Sequence, residues 1–188
     1  MGRPPGRRGE SRRRLLDVAL NLFAQHGVNG TSLQMIADAL GVTKAAVYHQ
    51  FASKDAIVLA VATPALDRMT SAVTYAESLT TPAERFDAML DGLVDLVLEH
   101  REFAAALQRD PEMARLLRGD ARYLSTTTRF DRVLIGDQPS PEARVALAAA
   151  GGGLMVAGVD PSLAGVDPAT VRRVLRDSAA SVLAPYRP

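Results

Sequence analysis

Apolar residues recur every three to four positions along almost the whole chain, and no stretch rich in Val, Ile and Thr alternates strictly with polar residues. That period is the mark of amphipathic helices, and the fold class is all-α. Five helix starts carry their own capping chemistry: Thr31 with Gln34, Thr81-Pro82 with Glu84, Asp110-Pro111, Ser140-Pro141 and Asp167-Pro168. In each, a side-chain oxygen can accept from an otherwise unpaired N–H of the first turn. In four, a proline takes the first helical position, where its missing donor costs nothing. The pattern predicts helices over residues 11–26, stopped by Gly27, then 32–40, 43–51 and a long helix of roughly 25 residues capped by Ser53. Further helices follow at 82–100, 102–108, 111–118, 120–136, 141–158 and 168–184. His26 reads as a helix-end residue.

Residues 31–51, TSLQMIADALGVTKAAVYHQF, have the arrangement of a helix-turn-helix: two short apolar-faced helices joined by a tight turn with glycine at the bend. Ala37 supplies the small side chain a close crossing needs, and Gly41 takes the turn position. Ile36, Leu40, Val42 and Val47 are expected to fill the small core between the helices. The second helix exposes Thr43, Lys44, Ala45, Tyr48 and His49, small and polar residues that can enter a major groove without steric block. Thr43 caps this helix, so its first N–H groups and Lys44 can approach phosphate or base edges together, and Tyr48 offers a hydroxyl on a rigid stem.

Charge sharpens this picture. The net charge of the 188 residues is only +1, yet residues 1–55 hold eight Lys/Arg against four Asp/Glu, whereas the remainder is net negative. Six of the first 14 residues are Arg (Arg3, Arg7, Arg8, Arg12, Arg13, Arg14), interleaved with Pro4, Pro5 and three glycines. No regular helix is expected there before about Glu10, and residues 1–10 read as a flexible basic arm. Such an arm, through Arg7, Arg8 and Arg12, can neutralise phosphates or enter a minor groove; the alternative is a solvated tail.

Composition, with 47% hydrophobic and 23% charged residues, is that of a globular protein. The absence of cysteine removes disulfides, thiolate metal sites and a Cys nucleophile, and fits a reducing compartment. The longest uncharged run of the second half, 145–159, holds four glycines and is too short to span a bilayer. The N-terminal Arg pairs lack the following apolar stretch of an export signal. The location expected is the cytoplasm, with no membrane partner.

With Gly41, Tyr48-His49, Phe51 and Ser53-Lys54 in that order, residues 11–60 resemble the N-terminal domain of the TetR family of bacterial one-component repressors. The resemblance implies DNA contacts from Thr31 and Ser32, from Thr43, Lys44, Ala45, Tyr48 and His49 on the recognition helix, and from Lys54 at the start of the fourth helix. It implies a DNA-binding domain over 11–52 and a ligand-binding and dimerisation domain over 53–188. It also implies a homodimer that binds double-stranded DNA at a palindromic operator and is released by a small-molecule inducer. One departure is visible: the recognition helix opens with Lys44, Ala45 and Ala46 and has no Arg, Asn or Gln among its first residues. That shifts weight from direct hydrogen-bond readout towards DNA shape and the arm.

In the larger half, Pro64 lies inside the long helix and is expected to kink it, either as a hinge or as a packing adjustment. An effector pocket is expected among Met69, Phe86, Met89, Phe103, Met113, Tyr123 and Thr127, with Val73, Leu93 and Phe130 nearby, a mostly apolar wall suited to a small hydrophobic or amphipathic ligand. Each of these residues also reads as ordinary core. Gly151-Gly152-Gly153 either makes a smooth helix surface for close approach of a partner, placing the dimer interface on 141–158 and 168–184, or breaks the helix in two. No phosphate loop, GxGxxG, GxSxG or HExxH is present, so an enzyme, a metal site and a cofactor are not expected. Asp91 and Asp95 read as part of a solvated acidic stripe. The alternative function is an architectural DNA-binding protein without an effector.

Overall fold

The computed structural model describes residues 6–188, with side chains from residue 9 onward. Among the described residues there is no strand. Ten α-helices follow one another: α1 (Gly6–Gly30), α2 (Leu33–Leu40), α3 (Lys44–Gln50), α4 (Lys54–Ser78), α5 (Pro82–Glu99), α6 (Arg101–Arg109), α7 (Pro111–Arg118), α8 (Ala121–Ile135), α9 (Pro141–Gly158) and α10 (Pro168–Leu183). Short 3-10 turns occupy Pro161–Leu163 and Ala184–Tyr186.

From α2 onward the ends fall where the caps place them. Thr43, Thr81, Asp110, Ser140 and Asp167 each accept a hydrogen bond from a first-turn N–H. At α5 the capping box is complete, and the Thr81 N–H and hydroxyl hold the Glu84 carboxyl below its ordinary value. Two expectations are corrected. Helix α1 begins at Gly6, because isolated glycines among good helix formers lower helix stability without forbidding it. Its helical backbone is interrupted at Gly27, with φ 72° and ψ 167°. The cap of α2 is Ser32, whose hydroxyl accepts from Met35 N–H, and not Thr31.

The chain divides into two compact units. The first runs to Thr63 and includes Ala106–Asp120; the second is Pro64–Ala105 with Ala121–Pro188. The division on α4 therefore lies beyond residue 52, and α7 joins the N-terminal helices. In the first unit α1 packs against α2 and α7, and α2 against α3. Leu15, Ala19, Phe23, Ile36, Val47 and Leu117 are buried there.

The second unit has one continuous apolar core, to which α4, α5, α8, α9 and α10 contribute Val73, Leu90, Leu134, Leu154 and Leu175 among others. At Gly92 on α5 an added Cβ would stand 2.7 Å from the Cβ of Ala72, so the close approach of α4 and α5 requires glycine. The acidic stripe of α5 is not left to solvent: Arg172 and Arg176 of α10 pair with Asp95, Asp91 and Asp87, with Arg172 Nε to Asp95 Oδ1 at 2.7 Å and Arg176 Nε to Asp91 Oδ1 at 3.2 Å. Four residues per ladder step along one helix face bring these acids to the same neighbour.

Helix α9 is unbroken through Gly151-Gly152-Gly153, which removes the reading as a helix break. Nothing lies within 4 Å of a Cβ added at any of the three. Val145, Ala149, Gly152 and Val156 fall on one stripe of α9 and are exposed, Val145 by 69% and Val156 by 57%. On α10, Val174 and Val182 are exposed as well. Helix α4 is continuous through Pro64 and is long and apolar enough, by length and composition, to cross a membrane. Its Ile57, Val58, Val61, Val73 and Ala76 are nonetheless buried in protein, as expected of core helices.

Candidate nucleic-acid interface

The turn between α2 and α3 is set by Gly41, at φ 69° and ψ 33°, a left-handed conformation in which a Cβ is costly. Its neighbour's N–H, from Val42, donates to Ala37 O at 3.0 Å, the wide bond that closes a Schellman turn. Ile36 and Ala37 of α2 and Val47 of α3 are wholly buried, so the two helices are locked face to face. Thr43 Oγ1 accepts from Ala46 N–H at 3.2 Å and starts α3. Phe51, buried at its end, lies under the guanidinium of Arg12, 4.2 Å from the ring centroid.

What α3 leaves outside is the set expected from sequence: Thr43, Lys44, Ala45, Tyr48 and His49 are all exposed, as is Ser32 at the start of α2. At 100° per residue, Lys44, Tyr48, Ala45 and His49 lie within an arc of about 140°. Tyr48 is 50% exposed, and Lys44 Nζ lies 5.8 Å from its ring centroid. Val42 is a correction. It is 44% exposed and extends the outer face, because the left-handed turn at Gly41 carries it out of the small core it was expected to fill.

Two further expected contacts are directed inward. Thr31 is buried, and its hydroxyl donates to Gly27 O at 2.8 Å and Leu22 O at 3.2 Å. Lys54 is half-buried, and its ammonium donates to Val28 O at 2.6 Å and Thr31 O at 3.1 Å. Both side chains serve backbone carbonyls around the break at Gly27 and the end of α1. Arg12 is held on Phe51, and the arm side chains Arg7 and Arg8 lie outside the described residues, as do residues 1–5. Arg13 and Arg14 are exposed at the start of α1.

Sequence reasoning recognised Asp110 only as the cap of α7, where its Oδ1 accepts from Glu112 N–H at 2.8 Å and Met113 N–H at 3.3 Å. Its other oxygen accepts from Val28 N–H, 82 residues away in sequence. The backbone of Val28 is thus held at both of its polar groups, by the carboxylate on its N–H and by Lys54 on its carbonyl. No local pattern signals a contact of that separation.

Of the seven residues expected around an effector, six lie in the second unit and Met113 in the first. Phe86 and Met89 are fully buried in the core of the second unit, with the Arg187 guanidinium 4.2 Å from the Phe86 ring centroid. Met69, Phe103, Tyr123 and Thr127 are half-buried in that unit, and Met113 is buried in the first. A surface pocket of about 520 Å³ is bordered by Asp131, Arg132, Ile135, Arg144 and Leu147 among others, and by none of the seven.

Residues 15–61 match the sequence model of the bacterial regulatory proteins of the tetR family. An HTH-type transcriptional repressor of Mycobacterium tuberculosis, Rv1474c, is 32% identical over 104 residues, 55% of this chain and 54% of that protein. The repressor KstR2 of Mycolicibacterium smegmatis is 28% identical over 131 residues, 69% of this chain and 57% of that protein. The chain thus spans about half the length of these curated relatives. Among solved structures, the ketosteroid regulator KstR2 of Mycobacterium tuberculosis has a TM-score of 0.63 at 22% identity, covering 100% of this chain and 98% of that one. FadR of Bacillus subtilis in complex with stearoyl-CoA has a TM-score of 0.62 at 16% identity, covering 91% and 96%. At these identities the likeness is one of fold.

Proposed function

From the match of residues 15–61 to the model of the tetR family of bacterial regulatory proteins, we propose that this chain is a member of that family and a ligand-responsive transcriptional regulator, a repressor that binds operator DNA as a homodimer in the cytoplasm. The observation that carries the proposal is the capped α3, seated on α2, whose outer face of Lys44, Ala45, Tyr48 and His49 is exposed among the described residues. Arg13 and Arg14 on α1 add positive charge suited to phosphates, and Ser32 stands at the start of α2. Thr31 and Lys54 act from beneath by fixing the frame.

The partner subunit is proposed to cover the exposed stripe of α9 and α10, where Val145, Gly152, Val156 and Val174 offer apolar and smooth surface. A two-fold dimer presents two α3 helices to major grooves about 34–36 Å apart or a multiple of that, and the operator is then a near-palindrome. The effector is proposed to be a small hydrophobic or amphipathic molecule meeting the half-buried Met69, Phe103, Tyr123 and Thr127. That the fold neighbours include a ketosteroid regulator and one bound to stearoyl-CoA supports this chemistry. Effector and DNA then oppose each other through one coupling free energy, typically ~1–3 kcal/mol.

The test is selection of bound duplexes from random DNA by the purified protein, followed by a screen for small molecules that release the enriched site, with the mass in solution measured alongside. Enrichment of a palindrome by a dimer, and its release by an apolar compound, is the outcome expected. A DNA complex that no compound releases points instead to an architectural protein. A monomer that enriches no duplex overturns the proposal.

A further inference from the structure

The outer surface at the start of α3 is poor in groups that can read a base edge by hydrogen bonding and rich in methyl groups. Val42 projects from the turn at 44% exposure. Thr43 turns its oxygen to the Ala46 N–H at 3.2 Å, and the rest of its exposed side chain is a methyl group. Ala45, also exposed, ends in a methyl. Over residues 42–46 the one side chain with a charged or amide donor is Lys44. On the neighbouring α2, Gln34 is the side chain able to make a bidentate contact with adenine, and its amide nitrogen is committed to Asp38 Oδ1 at 2.7 Å.

In the major groove of B-DNA, thymine is the base that presents a methyl group, and apolar side chains are its ordinary partners. We propose that Val42, Thr43 and Ala45 are specificity-determining residues that together recognise the 5-methyl group of a thymine in each half-site, with Lys44 and Tyr48 supplying polar contacts beside them. This rests on the DNA-binding function proposed above and deepens it by naming the base feature that is read. It also explains how a face without Arg, Asn or Gln can discriminate sequence: the discrimination comes from burying methyl against methyl.

Burial of one methyl is worth ~0.8 kcal/mol, which is roughly fourfold in affinity. With one such contact in each half-site, removing both weakens binding about fifteenfold. The experiment takes the enriched duplex and compares it with the same duplex in which every thymine is replaced by deoxyuridine, which pairs identically and lacks the methyl. The parent protein is expected to bind the uracil duplex ten- to twentyfold more weakly, about what two lost methyl contacts amount to. In the V42S/A45S double variant the ratio between the two duplexes is expected to fall below about fourfold, since the apolar partners of those methyls are gone. Equal affinity of the parent protein for both duplexes overturns the inference and leaves the DNA-binding proposal standing. So does a ratio unchanged in the double variant, which assigns the effect of the methyls to duplex shape. Failure to enrich any duplex overturns the DNA-binding proposal, and this inference with it.

Discussion

Between 50 and 200 mM monovalent salt, the affinity of the protein for the proposed operator is expected to fall about ten-thousandfold. The magnitude follows from the cations exposed on α1 and α3 among the described residues, taken to face DNA as proposed. Arg13 and Arg14 are exposed on α1 and Lys44 is exposed on α3, while Arg12, although stacked on Phe51, keeps its guanidinium at the surface. Lys54 is not among them, because its ammonium is held by two backbone carbonyls. These four described cations per protomer amount to about eight phosphates neutralised by a dimer. Each contributes roughly −0.9 to the slope of log affinity against log salt, a slope near −7 in all. Fluorescence anisotropy with a labelled duplex across that range measures it directly. The R13A/R14A variant is expected to lower the slope by about 3 to 4, and Lys54→Ala to leave it near the parent value while lowering stability. A binding constant indifferent to salt contradicts the electrostatic footprint.

Asp110→Ala lowers the unfolding free energy by about 3 kcal/mol and drops the melting temperature by roughly 6–12 °C. The carboxylate is only 7% exposed and serves three N–H donors: Glu112 and Met113 at the start of α7, and Val28 at the end of α1. Alanine leaves the Val28 and Met113 donors buried and unpaired, and an unpaired buried donor costs ~1–3 kcal/mol. Measured as the loss of the α7 cap, the share of Glu112 and Met113 is ~0.5–2 kcal/mol, and the Val28 donor accounts for the rest, partly offset as the site relaxes and water enters. Because the same carboxylate and Lys54 hold the N–H and the carbonyl of Val28, the substitution is also expected to loosen the entry to α2 and to weaken binding to the proposed operator. Urea unfolding followed by circular dichroism reads the stability. A change below about 1 kcal/mol means that the contact to Val28 is made by solvent in its place.

Much of the fold was legible because its information is local. Caps followed by proline at Asp110, Ser140 and Asp167 fix where α7, α9 and α10 begin, and the 3.6-residue period fixes the buried face of each. The glycine turn, the Thr43 cap and the buried Val47 likewise made α3 and its outer face recognisable from 20 residues of sequence. What escaped depends on partners remote in the chain. Thr31 carries the right chemistry for a cap or a phosphate contact, yet the break at Gly27 leaves a carbonyl beside it, and burial there outweighs exposure. Lys54 looks like a phosphate ligand until Val28 and Thr31 are seen to present their carbonyls to it. The acids of α5 resemble a solvated stripe because Arg172 and Arg176, nearly 80 residues away and beyond, are invisible to any local pattern. The effector residues were the least legible, since an apolar residue at helical spacing has the same sequence signature in a wall as in a core. Phe86 and Met89 proved to be core.

The outer face of α3 as the surface that touches DNA is tested most directly by the K44A/Y48A variant. Both side chains are exposed and neither supports the packing of α2 against α3, so thermal unfolding should match the parent. In an equilibrium titration with the enriched duplex at 100 mM salt, the variant should bind at least about tenfold more weakly, a loss of roughly 1.4 kcal/mol. A folded variant whose dissociation constant equals the parent's would place the DNA contact elsewhere on the molecule.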